Sequence, residues 1–366
     1  MFIHSPLADG FGLDIGDLSI KLIQLTRSWR LNRSTLKLQE YYKIKEMRSV
    51  KLPPGYIVNG EIQQPENVRH KLLHLLGKDG SAKPIHSPWV VADLPEPKTF
   101  LKLIEIDMPP NDITEDDILF QAKKHLPFDL SEAVTDWQIV NPNPSSNKSN
   151  VLFAAVPKVI SDSYTYLLES VGLTPAVLEV EAISLVRSLI TANKDYGAEA
   201  RAILDLGATR SGLVIYDQGT IQFSTTLTFS GEIVTTAIEQ GLKITREEAE
   251  KMKTQNGLVY DKANPKYLKI IADLTERLIA EIKKSLLFYK THFPHCGPVT
   301  HITLCGGVST TLGLDAAIAR SLKISARPGN AWKNLANPQF GEADRKRGLL
   351  WSSAVGLALH AIENDY

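Results

Sequence analysis

The stretch FGLDIGDLSIKLIQL, residues 11–25, contains two apolar runs separated by a short polar turn. The first run carries Asp14 and stops at Gly16, and the second run brings Ser19 and Lys21. A glycine at the start of such a turn tolerates the required dihedral angles, so backbone N–H groups can point at one spot. The stretch therefore predicts a β-hairpin whose turn holds a negatively charged group.

The same pattern returns at residues 200–224, in ARAILDLGATRSGLVIYDQGTIQFS. An apolar strand with Asp205 precedes a turn at Gly207, a hydroxyl at Thr209 and a second strand. The match of LDIGDLSIKLIQL to LDLGATRSGLVIY predicts an internal repeat, with a polyphosphate held in the cleft between two similar halves. The alternative is that each copy is an ordinary hairpin, in which Asp and Gly serve only the turn geometry.

Composition narrows the class of protein. A chain of 366 residues exceeds the usual single-domain size, and its 41 Lys and Arg cancel its 41 Asp and Glu. This balance removes any global electrostatic case for nucleic acid or anionic lipid. No segment reaches the about 18 apolar residues of a membrane span, and the first ten residues lack a secretory-signal pattern. The two cysteines, Cys296 and Cys305, favour inert side chains and a reducing, cytoplasmic location.

Apolar runs of strand length alternate with amphipathic helical stretches, which predicts an α/β protein. Residues 12–17, 20–27 and 35–44 are predicted to be consecutive strands. Residues 99–172 follow a strand–helix–strand–strand–helix pattern, and Thr114 with Asp117 predicts a capping box for the first helix. This segment is expected to be a small α+β module inserted into the first domain.

A third glycine turn lies in HITLCGGVSTTLGLDAAIARSL, residues 301–322, where Gly306 and Gly307 separate a strand from a helix. Such a turn suits the close approach of a flat ligand or anion, although a simple packing turn explains it as well. In the segment before it, Gly241 is expected to break a helix. A second helix then carries Glu248 and Lys251, which either bind ribose and base or belong to a solvated face.

Together these residues resemble the actin-like ATPase superfamily, in which a duplicated ribonuclease H-like fold forms two lobes around a nucleotide cleft. DIGDLSIK (14–21) resembles the first phosphate loop, DLGATRS (205–211) the second, and CGGVS (305–309) the adenosine motif. EVEAISLV (179–186) resembles the first connecting helix, and AVGLALHAI (354–362) resembles the closing one.

The resemblance implies that ATP and Mg²⁺ are bound, with hydrolysis weak or absent. It implies Mg²⁺ contacts at Asp14 and Asp205, and catalytic roles for Glu181 and Asp205. Asp17 departs from the usual pattern, and its charge is expected to weaken nucleotide binding. The implied nucleotide contacts are Asp14, Gly16, Asp17, Leu18, Ser19, Lys21, Gly207, Ala208, Thr209, Arg210, Glu248, Lys251, Gly306, Gly307, Val308 and Ser309.

The resemblance also implies domain boundaries. The first lobe is expected at residues 1–98, continued by 173–197 and 348–366. The inserted module at 99–172 is expected to bind a partner. The second lobe is expected at 198–347, with a helical subdomain at 226–298.

LFQAKKHLPFDLSEAVTDWQIV (119–140) is similar to the branch of the superfamily that holds the pilus assembly protein PilM and the division protein FtsA. The PilM family implies a cytoplasmic scaffold that docks the N-terminal peptide of the inner-membrane protein PilN and reaches the membrane only through it. Pilus motor ATPases and a second copy of the chain are further implied partners. Leu126 and Phe128 are candidates for the groove wall, or else core residues of the module.

Three other functions compete with this one. A sugar kinase of the superfamily needs an acceptor pocket with a dedicated base, and no loop resembling one is found. FtsA carries a C-terminal amphipathic membrane helix, whereas the end of this chain reads as a buried helix. The cytoplasmic part of the secretion protein GspL is related but continues into a membrane span.

Overall fold

The computed structural model describes residues 9–32, 37–141, 147–192, 194–258, 264–337 and 342–363. The chain divides into two compact units. Unit 1 comprises Met1–Ala192, Ala331–Gly341 and Trp351–Tyr366, and unit 2 comprises Asn193–Asn330 and Glu342–Leu350. Each unit contains one five-stranded mixed sheet with helices packed against it, which confirms the predicted α/β class.

Unit 1 is built on a sheet whose first strand is central. Strand β1 pairs antiparallel with β2, which pairs antiparallel with β3, while β1 and β6 are parallel, as are β6 and β10. These strands and the helices of unit 1 outside the inserted module are β1 (Phe11–Ile15), β2 (Ser19–Asn32), β3 (Lys37–Lys51), the short pair β4 (Ile57–Val58) and β5 (Glu61–Ile62), α1 (Pro65–Leu75), β6 (Trp89–Leu94), β10 (Thr174–Val180), α4 (Glu181–Leu189) and α10 (Ser352–Glu363).

Unit 2 repeats this topology. Strand β11 pairs antiparallel with β12, and β12 with β13, while β11 is parallel to β14 and β14 to β15. The same strand order in both sheets confirms the duplicated fold. The elements are β11 (Ala200–Leu206), β12 (Ser211–Asp217), β13 (Thr220–Leu227), α5 (Gly231–Leu242), α6 (Arg246–Asn256), α7 (Pro265–His292), β14 (Val299–Cys305), α8 (Leu314–Leu322), β15 (Ser325–Pro328) and α9 (Glu342–Gly348).

The predicted break between two helices is present but lies two residues after Gly241. Helix α5 runs through Gly241 and ends at Leu242, and its C-cap Lys243 has a left-handed φ of 59°. A Cβ on Gly241 would lie 2.4 Å from Cδ1 of Ile270 in α7, so this glycine leaves room for the end of the Ile270 side chain. The residue serves packing between helices, which its position in the sequence did not reveal.

Residues 99–172 have the predicted strand–helix–strand–strand–helix order, and the first four elements form the module with its own core. The buried side chains of the last helix pack instead in the core around the five-stranded sheet of unit 1: Ile160, Tyr164, Leu167 and Leu168. The sheet of the module has the order β7-β9-β8, and both pairs are antiparallel. Ile104, Ile118 and Phe153 lie in its core, and Thr114 and Asp117 form the predicted capping box. The elements are β7 (Phe100–Ile106), α2 (Glu115–Ala122), β8 (Ala133–Val140), β9 (Ser149–Pro157) and α3 (Lys158–Ser170).

The hairpin of β2 and β3 is much longer than the sequence predicts. Its register runs from the pair Ser19 and Lys51 to the pair Asn32 and Lys37. The prediction ended β2 at residue 27, where the apolar pattern ends, and residues 35 and 36 of the predicted third strand lie outside the described residues. Cross-strand hydrogen bonds continue the ladder beyond the part of the hairpin that is buried in the sheet.

Helix α10 packs backbone to backbone on two other elements of unit 1. A Cβ on Gly12 of β1 would lie 2.3 Å from the amide nitrogen of Ala358, and one on Gly356 would lie 1.9 Å from the carbonyl oxygen of Ser184 in α4. Such a backbone contact leaves no flexible side chain that can move aside. Among the helices that the structure describes, none is both long and apolar enough to cross a membrane.

A buried ion pair joins the same elements. The carboxylate of Glu179 accepts hydrogen bonds from Arg187 at 2.6 and 3.1 Å and lies 2.6 Å from Nδ1 of His360. Burial alone would raise the pKa of Glu179, but the hydrogen bond with His360 and the charge of Arg187 outweigh it. The pKa therefore lies below its ordinary value of 4.5.

The first prediction concerns the crossing of α10. Gly356→Ala should lower the stability of unit 1 by about 3 kcal/mol, because the clash involves main-chain atoms that cannot repack. Thermal unfolding followed by circular dichroism measures the effect. Gly80→Ala is the control, since its Cβ would meet nothing within 4 Å and only its φ of 83° costs energy, about 1 kcal/mol. Equal losses in the two variants would contradict the packing argument.

The second prediction concerns Glu179. Glu179→Gln should cost about 3 to 5 kcal/mol at neutral pH, because Arg187 loses its buried countercharge. A carboxylate whose folded-state pKa is lowered stabilises the fold above its unfolded pKa and loses that effect as the pH falls through the folded one. The melting temperature of the native chain should therefore decrease as the pH is lowered below about 4.5, and Glu179→Gln should lack this part of the decrease. Glu169→Gln, at an exposed position, should retain it.

Candidate functional site

The turn between β1 and β2 holds the first group of predicted site residues. Asp14 and Lys21 are directly opposite in the register, and Lys21 Nζ lies 2.6 Å from Asp14 Oδ2. The amide of Gly16 donates to the carbonyl of Ser19 at 3.0 Å and closes the turn. The structure thus brings together a carboxylate, an ammonium group and a glycine turn at one end of the sheet.

Lys21 is surrounded by acidic groups of unit 1. Burial by itself would lower the pKa of Lys21, but the charge and hydrogen bond of Asp14, with Glu181 and Asp93, raise it above its ordinary value. Lys21 therefore stays protonated. Glu181 is the first residue of α4, as the resemblance implies, and its Oε1 accepts a hydrogen bond from Ser353 at 3.0 Å.

Asp17 turns its carboxylate into the protein. Its side chain is buried, and its Oδ1 accepts a hydrogen bond of 3.1 Å from the amide of Gly60. The carbonyl of Leu18 accepts from the amide of Leu52 at 2.9 Å. The unusual aspartate therefore links the turn to the residue just before β5 and directs its charge to the amide of Gly60.

In unit 2, the turn between β11 and β12 has the same length as the turn between β1 and β2 in unit 1. The register Leu206 to Ser211 leaves the four residues Gly207, Ala208, Thr209 and Arg210 in the turn, the same number as between Ile15 and Ile20. Helix α5 begins against this turn. The amide of Gly231 donates to the carbonyl of Gly207 at 3.0 Å, and the amide of Glu232 donates to Ala208 at 2.7 Å.

The predicted adenosine motif lies beside Asp205. Gly306 has a φ of 81°, and a Cβ there would lie 2.5 Å from Asp205 Oδ1. The thiol of Cys305 contacts the same oxygen at 3.4 Å, while Ser309 Oγ donates to the carbonyl of Gly306 at 2.6 Å. A Cβ on Gly307 would meet nothing within 4 Å. Gly306 is thus needed for packing around Asp205, and Gly307 presents bare backbone to open space.

The predicted pair Glu248 and Lys251 lies apart from these residues. Both side chains are exposed, and Glu248 forms a capping box with Thr245, accepting its amide at 2.9 Å. That hydrogen bond holds the pKa of Glu248 below its ordinary value. Their role in binding ribose and base stays a prediction.

Helix α6 directs a different pair of charges inward. Lys253 Nζ donates to the carbonyl of Gly231 at 3.3 Å, to Thr235 Oγ1 at 2.8 Å and to Glu250 Oε1 at 2.9 Å. A small cavity beside Lys253 is also lined by Val308 of the adenosine motif. The sequence patterns did not predict a role for Glu250 or Lys253. The capping-box pattern T-x-x-E was the available signal, because it assigns Glu248 to the helix end and the inner face to residues after it.

Leu126 and Phe128 pack against the core of the inserted module and are half-buried. Their role as a groove wall stays a prediction. The alternation of β7 turns Leu101 and Leu103 to the opposite face of the module sheet, where Leu103 is paired with Leu152 of β9. These three leucines are half-buried and make a second apolar surface on the module.

Each unit has a turn that follows a carboxylate, Asp14 in unit 1 and Asp205 in unit 2. Among the described residues, no group of three or more His, Cys, Asp and Glu side chains is arranged to hold a metal ion. Mg²⁺ needs no such group, because it keeps several waters and uses one or two carboxylates together with substrate phosphates. Asp14 and Asp205, each at the equivalent position of its sheet, fit that requirement.

Several solved structures have a fold similar to that of this chain. A structure described as the PilM-PilN type IV pilus biogenesis complex is similar with a TM-score of 0.80 and 23% identity, covering 97% of this chain and 99% of that one. MreB 5 of Spiroplasma citri bound to AMPPNP is similar with a TM-score of 0.52 and 13% identity, covering 95% and 94%. EutJ from Carboxydothermus hydrogenoformans is similar with a TM-score of 0.50 and 12% identity, covering 95% and 88%.

These identities establish the fold alone, and they confirm the actin-like class expected from the sequence. A family model gives the narrower result. The model described as type IV pilus assembly protein PilM matches residues 12–362, nearly the whole length of the chain. The chain therefore belongs to the family of the type IV pilus assembly protein PilM.

Proposed function

We propose that the chain is an ATP-binding scaffold of type IV pilus assembly, which docks a peptide of an inner-membrane partner and links it to the pilus motor. The match of the family model over residues 12–362 is the observation that carries the pilus role. The scaffold is proposed to lie in the cytoplasm and to be held at the membrane by its partner.

Nucleotide binding is supported by the paired turns. The backbone at Gly16 and at Gly207 is proposed to hold the phosphates, with Lys21 as their countercharge and Gly307 against the nucleoside. The similar MreB 5 structure has the ATP analogue AMPPNP bound, which supports a nucleotide in an actin-like fold of this kind. In unit 2, Lys253 and Glu250 add a charged pair beside Val308 that suits a ribose.

Hydrolysis requires a positioned water as well as a bound metal. Glu181 is proposed to orient that water, and Asp205 to hold a water of the Mg²⁺ shell. Ser353 already takes one carboxylate oxygen of Glu181, which restricts how freely it serves as a base. The proposal is accordingly a protein that binds ATP and turns it over slowly or not at all.

The partner proposed is PilN, the second protein of the similar complex. Its cytoplasmic N-terminal segment is proposed to dock on the inserted module. The sheet face of Leu101, Leu103 and Leu152 is the better candidate surface, because Leu126 and Phe128 already contribute to the module core. An extended peptide on such a face is held by apolar side chains in pockets and by backbone pairing at an edge.

The third prediction tests the nucleotide. ATP with Mg²⁺ at a hundredfold excess over its Kd should stabilise the fold by about 2.7 kcal/mol, seen as a higher melting temperature. Gly307→Val should abolish this shift without changing the melting of the ligand-free chain, because its Cβ meets nothing within 4 Å. Asp205→Asn should lose mainly the part of the ATP-dependent rise in melting temperature that the native chain loses when EDTA removes Mg²⁺.

Gly55→Val is the matched control, since a Cβ there also meets nothing within 4 Å and Gly55 lies outside both turns. Its φ of 90° should lower the melting temperature of the ligand-free chain, but the ATP shift measured from that baseline should be complete. An undiminished shift in Gly307→Val would contradict the assignment of the adenosine motif.

The fourth prediction tests the peptide. A fluorescent peptide from the N-terminus of PilN should bind the full chain with a Kd near 1 μM, about −8 kcal/mol. Leu103→Asp should weaken binding at least tenfold, because it places a charge on the proposed contact face. Fluorescence anisotropy measures the Kd, and circular dichroism confirms that the module is folded.

Phe120→Asp is the control within the same module, since Phe120 is 66% exposed on α2. It should bind the peptide normally. If Phe128→Ala loses binding without loss of folding while Leu103→Asp binds normally, the peptide docks at the turn instead of the sheet face.

A further inference from the structure

The distal part of the β2–β3 hairpin exposes large apolar side chains. Trp29 is 59% exposed, Leu31 is 56% exposed and Leu38 is 71% exposed. Leu31 is paired with Leu38, and Trp29 lies two residues before Leu31, so all three are on one face of the hairpin. Grouped exposure of this kind marks an interaction surface more often than single exposed side chains do.

The same part of the hairpin is strongly basic. The described residues 27–32 and 37–45 contain five basic residues and one acid, Glu40, although the whole chain has 41 of each sign. The basic residues are Arg27, Arg30, Lys37, Lys43 and Lys45. Arg27 lies 3.6 Å from Glu40, and both are about 40% exposed, so this pairing offsets little of the field. The chain as a whole is neutral, but the distal part of the β2–β3 hairpin, here named the arm, is positively charged.

The base of the arm is fixed to unit 1. Arg27 Nη2 donates to the carbonyl of Ile362 in α10 at 2.6 Å, and Asn337 Nδ2 donates to the carbonyl of Tyr42 at 3.1 Å. These two contacts hold both strands at the point where the exposed part begins. The apolar face therefore stands in a set direction relative to the sheet of unit 1.

We propose that this arm contacts an anionic lipid bilayer directly. Tryptophan prefers the boundary between headgroups and acyl chains, and leucines beside it gain by leaving water. Arginine and lysine are attracted to anionic headgroups, and their long side chains reach the charge while apolar neighbours are buried. Trp29, Leu31 and Leu38 supply the first group on one face of the hairpin, where Glu40 is paired with Trp29. Arg30 and Lys43 supply the second group from the opposite face, the arrangement of an amphipathic element that lies in the plane of the interface.

Two other occupants fit less well. A single-stranded nucleic acid would use the basic and aromatic side chains but leave Leu31 and Leu38 exposed. A second copy of the chain, paired along the edge strand β3, would bring two arms of the same charge together, and Lys43 and Lys45 on this edge oppose such pairing. The lipid surface is the partner that uses both the leucines and the charge.

The proposed contact goes beyond docking through PilN and requires neither nucleotide nor peptide. The full chain should sediment with vesicles that contain phosphatidylglycerol and stay in solution with pure phosphatidylcholine. Binding should be lost in 0.5 M NaCl, because screening shortens the reach of surface charges to a few ångströms. Each charge removed, by Arg30→Gln or Lys43→Gln, should weaken binding about fivefold.

The triple variant Trp29→Ser, Leu31→Ser, Leu38→Ser should lower the bound fraction at least tenfold with unchanged melting. Leu287→Ser is the matched control, because Leu287 is 62% exposed on α7 and should bind vesicles normally. Trp29 is the most exposed of the four tryptophans outside the module, so vesicles should shift the tryptophan emission to the blue. That shift should disappear in Trp29→Phe, which keeps binding.

Equal binding of neutral and anionic vesicles would overturn the electrostatic part of the proposal. Full binding by the triple variant would overturn the assignment of the arm. If the native chain binds an oligonucleotide but not vesicles, the partner of the arm is a nucleic acid. If the native chain does not bind vesicles but forms a concentration-dependent dimer that the triple variant cannot form, the partner is a second copy of the chain.

Discussion

The approach of backbone to backbone, without intervening side chains, is the constraint on which unit 1 depends. Helix α10 reaches β1 through Gly12 and reaches α4 through Gly356, at distances that no Cβ permits. The strand that carries Asp14 and the helix that begins with Glu181 are thereby held against one helix from the end of the chain. Glu179, Arg187 and His360 add a buried ionic link across the same elements.

Unit 2 uses the same constraint around its carboxylate. Gly306 lets β14 lie beside Asp205, and Gly231 lets the start of α5 lie against the turn at Gly207. Lys253 then ties α6 to the start of α5 through the carbonyl of Gly231. These hydrogen bonds connect α6 to the start of α5, and the start of α5 to the turn at Gly207.

The two surfaces proposed for partners are both on unit 1 but differ in chemistry. The leucine face of the inserted module is flanked by Asp136 and Gln138 in the register and is half-buried. The hairpin arm is basic and exposes Trp29, Leu31 and Leu38. A scaffold with a peptide site and a lipid site would be attached to the membrane at two points, one through the membrane-anchored partner and one through the lipid. Each attachment raises the effective concentration of the other.

The sequence by itself determined the repeated strand–turn–strand units, the capping box at Thr114 and the order of elements at residues 99–172. These features depend on residues close in the chain, such as the four turn residues after Ile15 and after Leu206, so local patterns reveal them. Only the tertiary structure decided which charges face inward. Asp17 turns to Gly60, Lys253 turns to Gly231 and Glu250 turns to Thr235, because the partners of these side chains come from other elements. The same reason explains Gly241, whose role depends on Ile270 in another helix. The basic arm could not be predicted either, because the overall charge and the apolar pattern of a sequence do not indicate how far a hairpin extends beyond its sheet.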